Sequence, residues 1–321
     1  MSLTLARSPA PRAVPPPGSH LRLAFVGQRT FFEACALGAE HPRVRTTFLE
    51  FRKGGDVERL LAALHEFGPH VVIVFRPEIV PAGAFAGVPA ATLGFLTEPI
   101  PRGAGAGHPD QQRRLWELGQ VDPGNFDRVI SFDPLIAQTA ETVLPVWRSV
   151  PLPVADRYYA PVGPRRLAHP RALFVGRSTP WREQLLEPAK HLFDVVHYAF
   201  GVGAGELETL LREHDVGINL HNEPYPSFEN RVSLHLAAGH LVLSEALSPL
   251  HGLESGIDFL EVDTPGAIVR ILDVLGRYPG TWHGVRVRGR LKAEGFRASR
   301  IYPRLVRDLF DDLAAFGTDR A

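Results

Sequence analysis

The chain has 321 residues, 45% of them hydrophobic and 22% charged, which excludes a disordered chain and, at about 150 residues per domain, predicts two domains. Thirty-five basic against 35 acidic residues leave no net charge to recruit nucleic acid or an anionic membrane. One cysteine, Cys35, excludes an intramolecular disulfide and any cysteine-built metal site, and no apolar run approaches the roughly 20 residues that cross a bilayer.

Residues 1–20, with Pro9, Pro11 and Pro15-Pro16-Pro17, read as a flexible arm with neither an apolar core segment nor a secretion signal. A cytoplasmic protein without an integral membrane segment is expected. From Leu21 onward, strands are expected at 21–26, 45–51, 71–75, 90–95, 128–132 and 146–150, and helices at 30–39, 57–66, 111–118 and 135–143. The strands are continuously apolar rather than alternating, as strands covered on both faces must be. Strand, helix and strand repeated in this way mean a parallel sheet with right-handed crossovers. Five prolines within 151–171 read as a linker. The alternation then restarts, with strands at 172–175, 195–198, 216–220, 241–244 and 259–262 and helices at 182–191, 206–213, 230–237 and 266–275. A helical stripe at 301–316 ends the chain. The expected fold class is α/β, with two Rossmann-like, doubly wound domains facing a cleft. The first spans 21–165 and the second 166–297. Ligands of open parallel sheets sit beyond the carboxyl ends of strands, which places the site between the two sheets.

The first strand runs into Gly27, but the two further glycines of a dinucleotide fingerprint are missing. Gly27 either closes a structural turn or lets a substrate approach the backbone. Gly201–Gly205 reads as a plain loop, and Arg102–His108, rich in glycine, as a lid or a flexible loop. None of the fourteen histidines has ligand spacing, so no metal is expected. The basic run Arg286–Lys292 lacks interleaved aromatics and reads as a solvated face.

Two segments carry more. After the strand at 172–175 comes Gly176-Arg177-Ser178-Thr179-Pro180-Trp181-Arg182, with Arg182 opening a helix. A close backbone approach, a helix start and two guanidiniums suit a diphosphate, and equally describe a surface arginine pair at an ordinary turn. The strand at 216–220 empties into His221-Asn222-Glu223-Pro224-Tyr225-Pro226-Ser227-Phe228-Glu229-Asn230-Arg231. Capping accounts for one or two of these polar groups, not for His221, Asn222, Glu223, Asn230 and Arg231 together, so a ligand site is expected here.

On these residues the C-terminal half, roughly 170–305, resembles nucleotide-sugar glycosyltransferases of the two-Rossmann (GT-B) architecture, and among them the spore-maturation-type, group-1-like branch. Those enzymes carry Gly-Arg after a strand and a basic residue five positions later on the donor diphosphate; Arg177 and Arg182 occupy these places, the second where lysine is more usual. They also carry an Asn-x-Arg-x-Phe-Glu helix that ends in a small-residue stretch and Gly; here Arg231, the helix length and the closing Gly239 match. Leu234 stands where the family places the glutamate that binds the donor ribose. Glu229, one turn earlier, can take over that contact, or the ribose is held differently. The resemblance puts His221, Asn222, Glu229, Asn230 and Arg231 at the nucleoside and sugar, and His251 and Gly252 at the distal phosphate and sugar. It sends the last helix back to the first domain, whose Gly27 and His108 face an acceptor that the sequence does not identify.

The resemblance thus implies a metal-independent transferase, acting with retention on a nucleoside diphosphate sugar as co-substrate and needing no other cofactor. A competing reading, supported by Leu234, is a non-catalytic nucleotide-sugar or partner-binding protein of the same fold.

Overall fold

The computed structural model describes residues 18–38, 41–102, 107–136, 139–141, 143–164, 169–199 and 202–317. The chain divides into two compact units. One takes the described residues up to Ile100, Pro109–Pro151 and those from Ser299 on; the other takes Pro101–His108 and Leu152–Ala298.

The first unit is built on β1 (Leu21–Gly27), β2 (Val44–Glu50), β3 (Val71–Phe75), β4 (Ala91–Leu96), β5 (Arg128–Ser131) and β6 (Arg148–Ser149). All are parallel, in the order β2-β1-β3-β4-β5-β6. β3 and β4 are buried along their whole length, which is why their sequences do not alternate. The helices of this unit are α1 (Arg29–Phe32), α2 (Val57–Phe67) and α3 (Pro109–Leu118). α2 starts where the Asp56 carboxylate accepts from the Arg59 N–H at 3.0 Å. Two expectations are corrected. The helix foreseen at 30–39 is only the single turn of α1 and a 3-10 turn at Glu33–Cys35. The described residues of 135–143 are turns and, at Ile136, 3-10 structure rather than α-helix, with hydrogen bonds from Ala140 N to Ile136 O and from Leu144 N to Ala140 O.

The second unit holds β7 (Arg171–Val175), β8 (Asp194–Tyr198), β9 (Val216–Asn219), β10 (Leu241–Ser244) and β11 (Leu260–Glu261), parallel in the order β11-β10-β9-β7-β8. Its helices are α4 (Pro180–Leu192), α5 (Ala204–Glu213), α6 (Asn230–Ala237), α7 (Pro265–Arg277) and α8 (His283–Lys292). α8 carries the basic run, and the expectation of a solvated face is corrected there. Arg286 is buried and donates to the carbonyls of Gly239 and Gly163, while Arg290 donates to that of Ala160. Guanidiniums paired in this way satisfy chain carbonyls that no strand or helix partner reaches. The last helix, α9 (Ala298–Phe316), belongs to the first unit from Ser299 onward. No helix among the described residues is long and apolar enough to cross a membrane.

Candidate functional site

Chain order in the second sheet reverses between β7 and β9: from β7 the chain steps outward to β8, then returns to the other side of β7 as β9. At such a switch point the connections leave in opposite directions and a crevice opens beyond the strands. Here the opening is visible in the pairing. β7 and β9 are in register only at Ala172↔Val216 and Leu173↔Gly217. Phe174 and Val175 have no partners on β9, and the two strands part. The segments singled out in the sequence, Gly176–Arg182 and His221–Arg231, leave from these two carboxyl ends.

Two guanidiniums fill the base of the crevice. Arg182 and Arg231 lie 5.3 and 5.2 Å from the centre of the buried Phe174 ring. Arg231 donates from Nε to Asn219 Oδ1 (2.8 Å), from Nη1 to the Val175 carbonyl (3.1 Å) and from Nη2 to the Leu220 carbonyl (3.0 Å). It thereby bridges the strand ends that no longer bond to each other. Arg182 donates to the carbonyls of Leu220, His221 and Arg177, and to Asn222 and Glu229. The Glu229 carboxylate joins the two arginines, 3.2 Å from Arg182 and 2.6 Å from Arg231. Burial, and next the neighbouring Arg231 charge, pull the Arg182 pKa down to about 10, so it stays protonated at neutral pH. A side chain at Gly176 is not possible without movement, because its Cβ would stand 2.9 Å from Arg231 Nη1 and 3.1 Å from Phe174.

The sequence expectation therefore divides. Arg182, 3% exposed, is a strut whose three nitrogens all have protein acceptors, while the Arg177 side chain is exposed at the mouth of the crevice. Arg231 is also a strut. His221 is buried, with Nε2 donating to the Ala246 carbonyl (2.8 Å) and Nδ1 accepting from the Ser227 hydroxyl (2.9 Å), so the imidazole is fully used in holding its own loop. Asn222, Glu229 and Asn230 are half-buried. Glu229 is the N-cap residue of α6, and its side chain is not the one that caps that helix. Leu234 is buried within that helix.

Farther along the same edge, His251 packs edge-on against Phe228 with ring centres 4.6 Å apart, and burial lowers its pKa to about 4. Gly252 is exposed, and its carbonyl accepts from Lys292 at 2.7 Å. Arg102 and His108, close to the first set of strands in sequence, lie in the second unit: Arg102 donates to Ser248 (3.0 Å), and His108 stands edge-on to Tyr225 (5.3 Å). The rest of the loop read as a lid, 103–106, lies outside the described residues, as does Gly201. Gly27 is the buried last residue of β1, with its carbonyl accepting from the Phe51 N–H at 3.0 Å in continuation of the pairing with β2.

Several groups at this edge escaped the sequence reading. Glu245, one residue past β10, accepts from the Trp181 indole (3.0 Å) and from the His221 backbone N–H (2.5 Å). Asn219 is buried beneath Arg231. Beside Gly176, His197 of β8 donates from Nε2 to the Gly176 carbonyl (2.8 Å) and accepts from Lys190 at Nδ1 (3.0 Å), and Lys190 also pairs with Glu183 at 2.5 Å. The available signal was position: each of Asn219, Glu245 and His197 is polar at or near the carboxyl end of an apolar strand.

No protein-family model matches the sequence, and no curated protein matches it in sequence. Solved structures do resemble it. HepE of Anabaena, in complex with UDP and glucose, is 12% identical, with a TM-score of 0.58 over 91% of this chain and 100% of its own. An alpha-glucosyltransferase in complex with UDP and a 13-mer DNA is 10% identical, with a TM-score of 0.59 over 91% and 100%. Sucrose-phosphate synthase from Thermosynechococcus elongatus is 12% identical, with a TM-score of 0.57 over the same shares. At this identity the likeness establishes the architecture alone: the chain has the α/β, two-Rossmann GT-B fold of these glycosyltransferases.

Proposed function

We propose that the protein transfers a sugar from a nucleoside diphosphate sugar, bound at the carboxyl edge of the second unit's sheet. The observation that carries this reading is the crevice between β7 and β9, where Gly176-Arg177, Glu229 and the start of α6 converge. Arg182, Arg231, Glu229 and Glu245 largely cancel one another's charge, so a diphosphate meets Arg177, backbone N–H groups and the positive end of α6. Transfer needs no strong protein nucleophile; it needs stabilisation of charge as the diphosphate leaves, which preorganised donors supply without a metal. Glu229, a half-buried carboxylate beside Arg182 and Arg231, is the acceptor we assign to the ribose hydroxyls. The motif likeness to the spore-maturation-type branch supports retention of configuration, and the UDP held by similar structures makes UDP the first probe.

The expected result is stabilisation by UDP, about 2.7 kcal/mol at 100 times its dissociation constant, and slow hydrolysis of UDP-sugars that survives EDTA. Loss of hydrolysis in EDTA would replace the metal-free mechanism, and the absence of stabilisation by any nucleoside diphosphate would remove the donor site. One observation favours a second reading, a nucleotide-sugar-binding protein without catalysis: Leu234 is buried where the family's ribose glutamate stands. Tight nucleotide binding with no hydrolysis or transfer across a panel of sugar nucleotides would select it.

A further inference from the structure

A cavity of about 480 Å³ in the first unit has no part in the donor reading. It lies at the amino ends of β1, β3 and β4, next to Arg22, His70 and Ala90, whereas ligands of open parallel sheets gather at the opposite edge. Its apolar wall includes Leu61 and Leu64 of α2 and Val88 from the connection to β4, and its size falls within the range of small-molecule sites. Among the described residues its ionisable lining is Arg22, His65 and His70, all three basic.

The polar groups are oriented. The backbone N–H of Arg22 donates to His70 Nδ1 at 3.0 Å, which leaves Nε2 as the protonated nitrogen of the neutral ring. α2 ends at this rim, and its last carbonyls place partial negative charge there. Arg22 answers that charge by donating from Nε to the Gly68 carbonyl. Its two Nη groups have no protein acceptor among the described residues. An apolar chamber with a guanidinium fork and an imidazole N–H at one side matches a molecule with an alkyl body and a carboxylate head.

We propose that this cavity binds a small amphipathic carboxylate, with its chain on Leu61, Leu64 and Val88 and its head on Arg22 and His70. The site is separate from the nucleotide site, so this inference stands or falls independently of the donor reading. The probe is decanoate, compared with decanol, followed by titration calorimetry and by the NMR signals of the histidine rings. Decanoate is expected to bind once per chain, to shift the His70 ring signals, and to bind about tenfold or more tightly than decanol, the difference expected of a charge-assisted contact. Arg22→Met should remove that preference while leaving decanol binding unchanged, and Ala84→Phe, which fills the chamber, should abolish binding of both. Unchanged unfolding midpoints verify that the variants fold, and the wild-type comparison does not depend on them. No decanoate binding at millimolar concentration, equal binding of decanol, or an unmoved His70 signal would overturn the proposal.

Discussion

Arg182 donates from all three guanidinium nitrogens to protein acceptors, whereas Arg177, five positions earlier, keeps its side chain in solvent. Their substitutions should separate accordingly. Arg177→Ala is expected to weaken UDP binding by about 1.5–3 kcal/mol, the range of a charged hydrogen bond, with an unchanged melting temperature. Calorimetric titration tests this, and equal UDP affinity in the variant would take Arg177 out of the site. Arg182→Ala removes a buried charge that holds the loop after β9 and is expected to destabilise the fold by about 3–5 kcal/mol. A loss below about 1 kcal/mol in urea unfolding would mean that the surrounding carbonyls find other donors.

At the scale of elements, α5, α6 and the start of β10 enclose an imidazole cluster. His240 donates from Nε2 to the Leu211 carbonyl (2.7 Å), so its Nδ1 must accept the hydrogen bond from His235 Nδ1 (3.0 Å). His235 lies so close to β9 that a Cβ at Gly217 would stand 2.2 Å from its ring. Burial lowers the His240 pKa from 6.5 to about 4, and burial followed by the His240 charge lowers that of His235 well below 6.5. A lowered pKa means that the unfolded chain takes up protons first as the medium is acidified. The stability contributed by His240 is complete above about pH 6.5 and is lost on going down towards about pH 4, at about 1.4 kcal/mol per pH unit, and His235 adds a loss in the same direction. Urea midpoints measured across that window should therefore fall with acid, and His240→Gln should flatten the slope. A slope unaltered by the substitution would assign the acid sensitivity elsewhere.

At the scale of the whole molecule, the first unit is completed by the far end of the chain. Tyr302 of α9 is fully buried, edge-on to Phe25 with ring centres 4.9 Å apart, and its hydroxyl donates to the Cys35 carbonyl 267 positions away. Trp147, Arg128 and Arg148 add contacts to Asp312 and Asp308 of the same helix. Tyr302→Ala should cost about 3–5 kcal/mol, as for other large buried aromatics, and should act on the first unit. Calorimetry is expected to split into two transitions, with only the lower one shifted from wild type. A single transition at the wild-type temperature would show that α9 is dispensable.

Much of this was legible from neighbours along the chain. Continuously apolar runs such as Val71–Phe75 must be strands covered on both faces, and α6 occupies Asn230–Ala237 as its pattern demands. The density of polar groups in His221–Arg231 set that segment apart as a candidate, because local capping absorbs too few of them. What such reading could not decide was which of those groups were already satisfied. Arg182 and Arg231 look like ligand-binding cations until the parting of β7 and β9 supplies them with the carbonyls of Val175, Leu220 and His221. The basic run of α8 looks solvated until Gly239, Gly163 and Ala160 arrive beneath it. Secondary structure follows from backbone sterics and the period of apolar side chains, both properties of adjacent residues. The satisfaction of a buried donor depends on acceptors brought from tens of residues away, and only the tertiary structure chooses those.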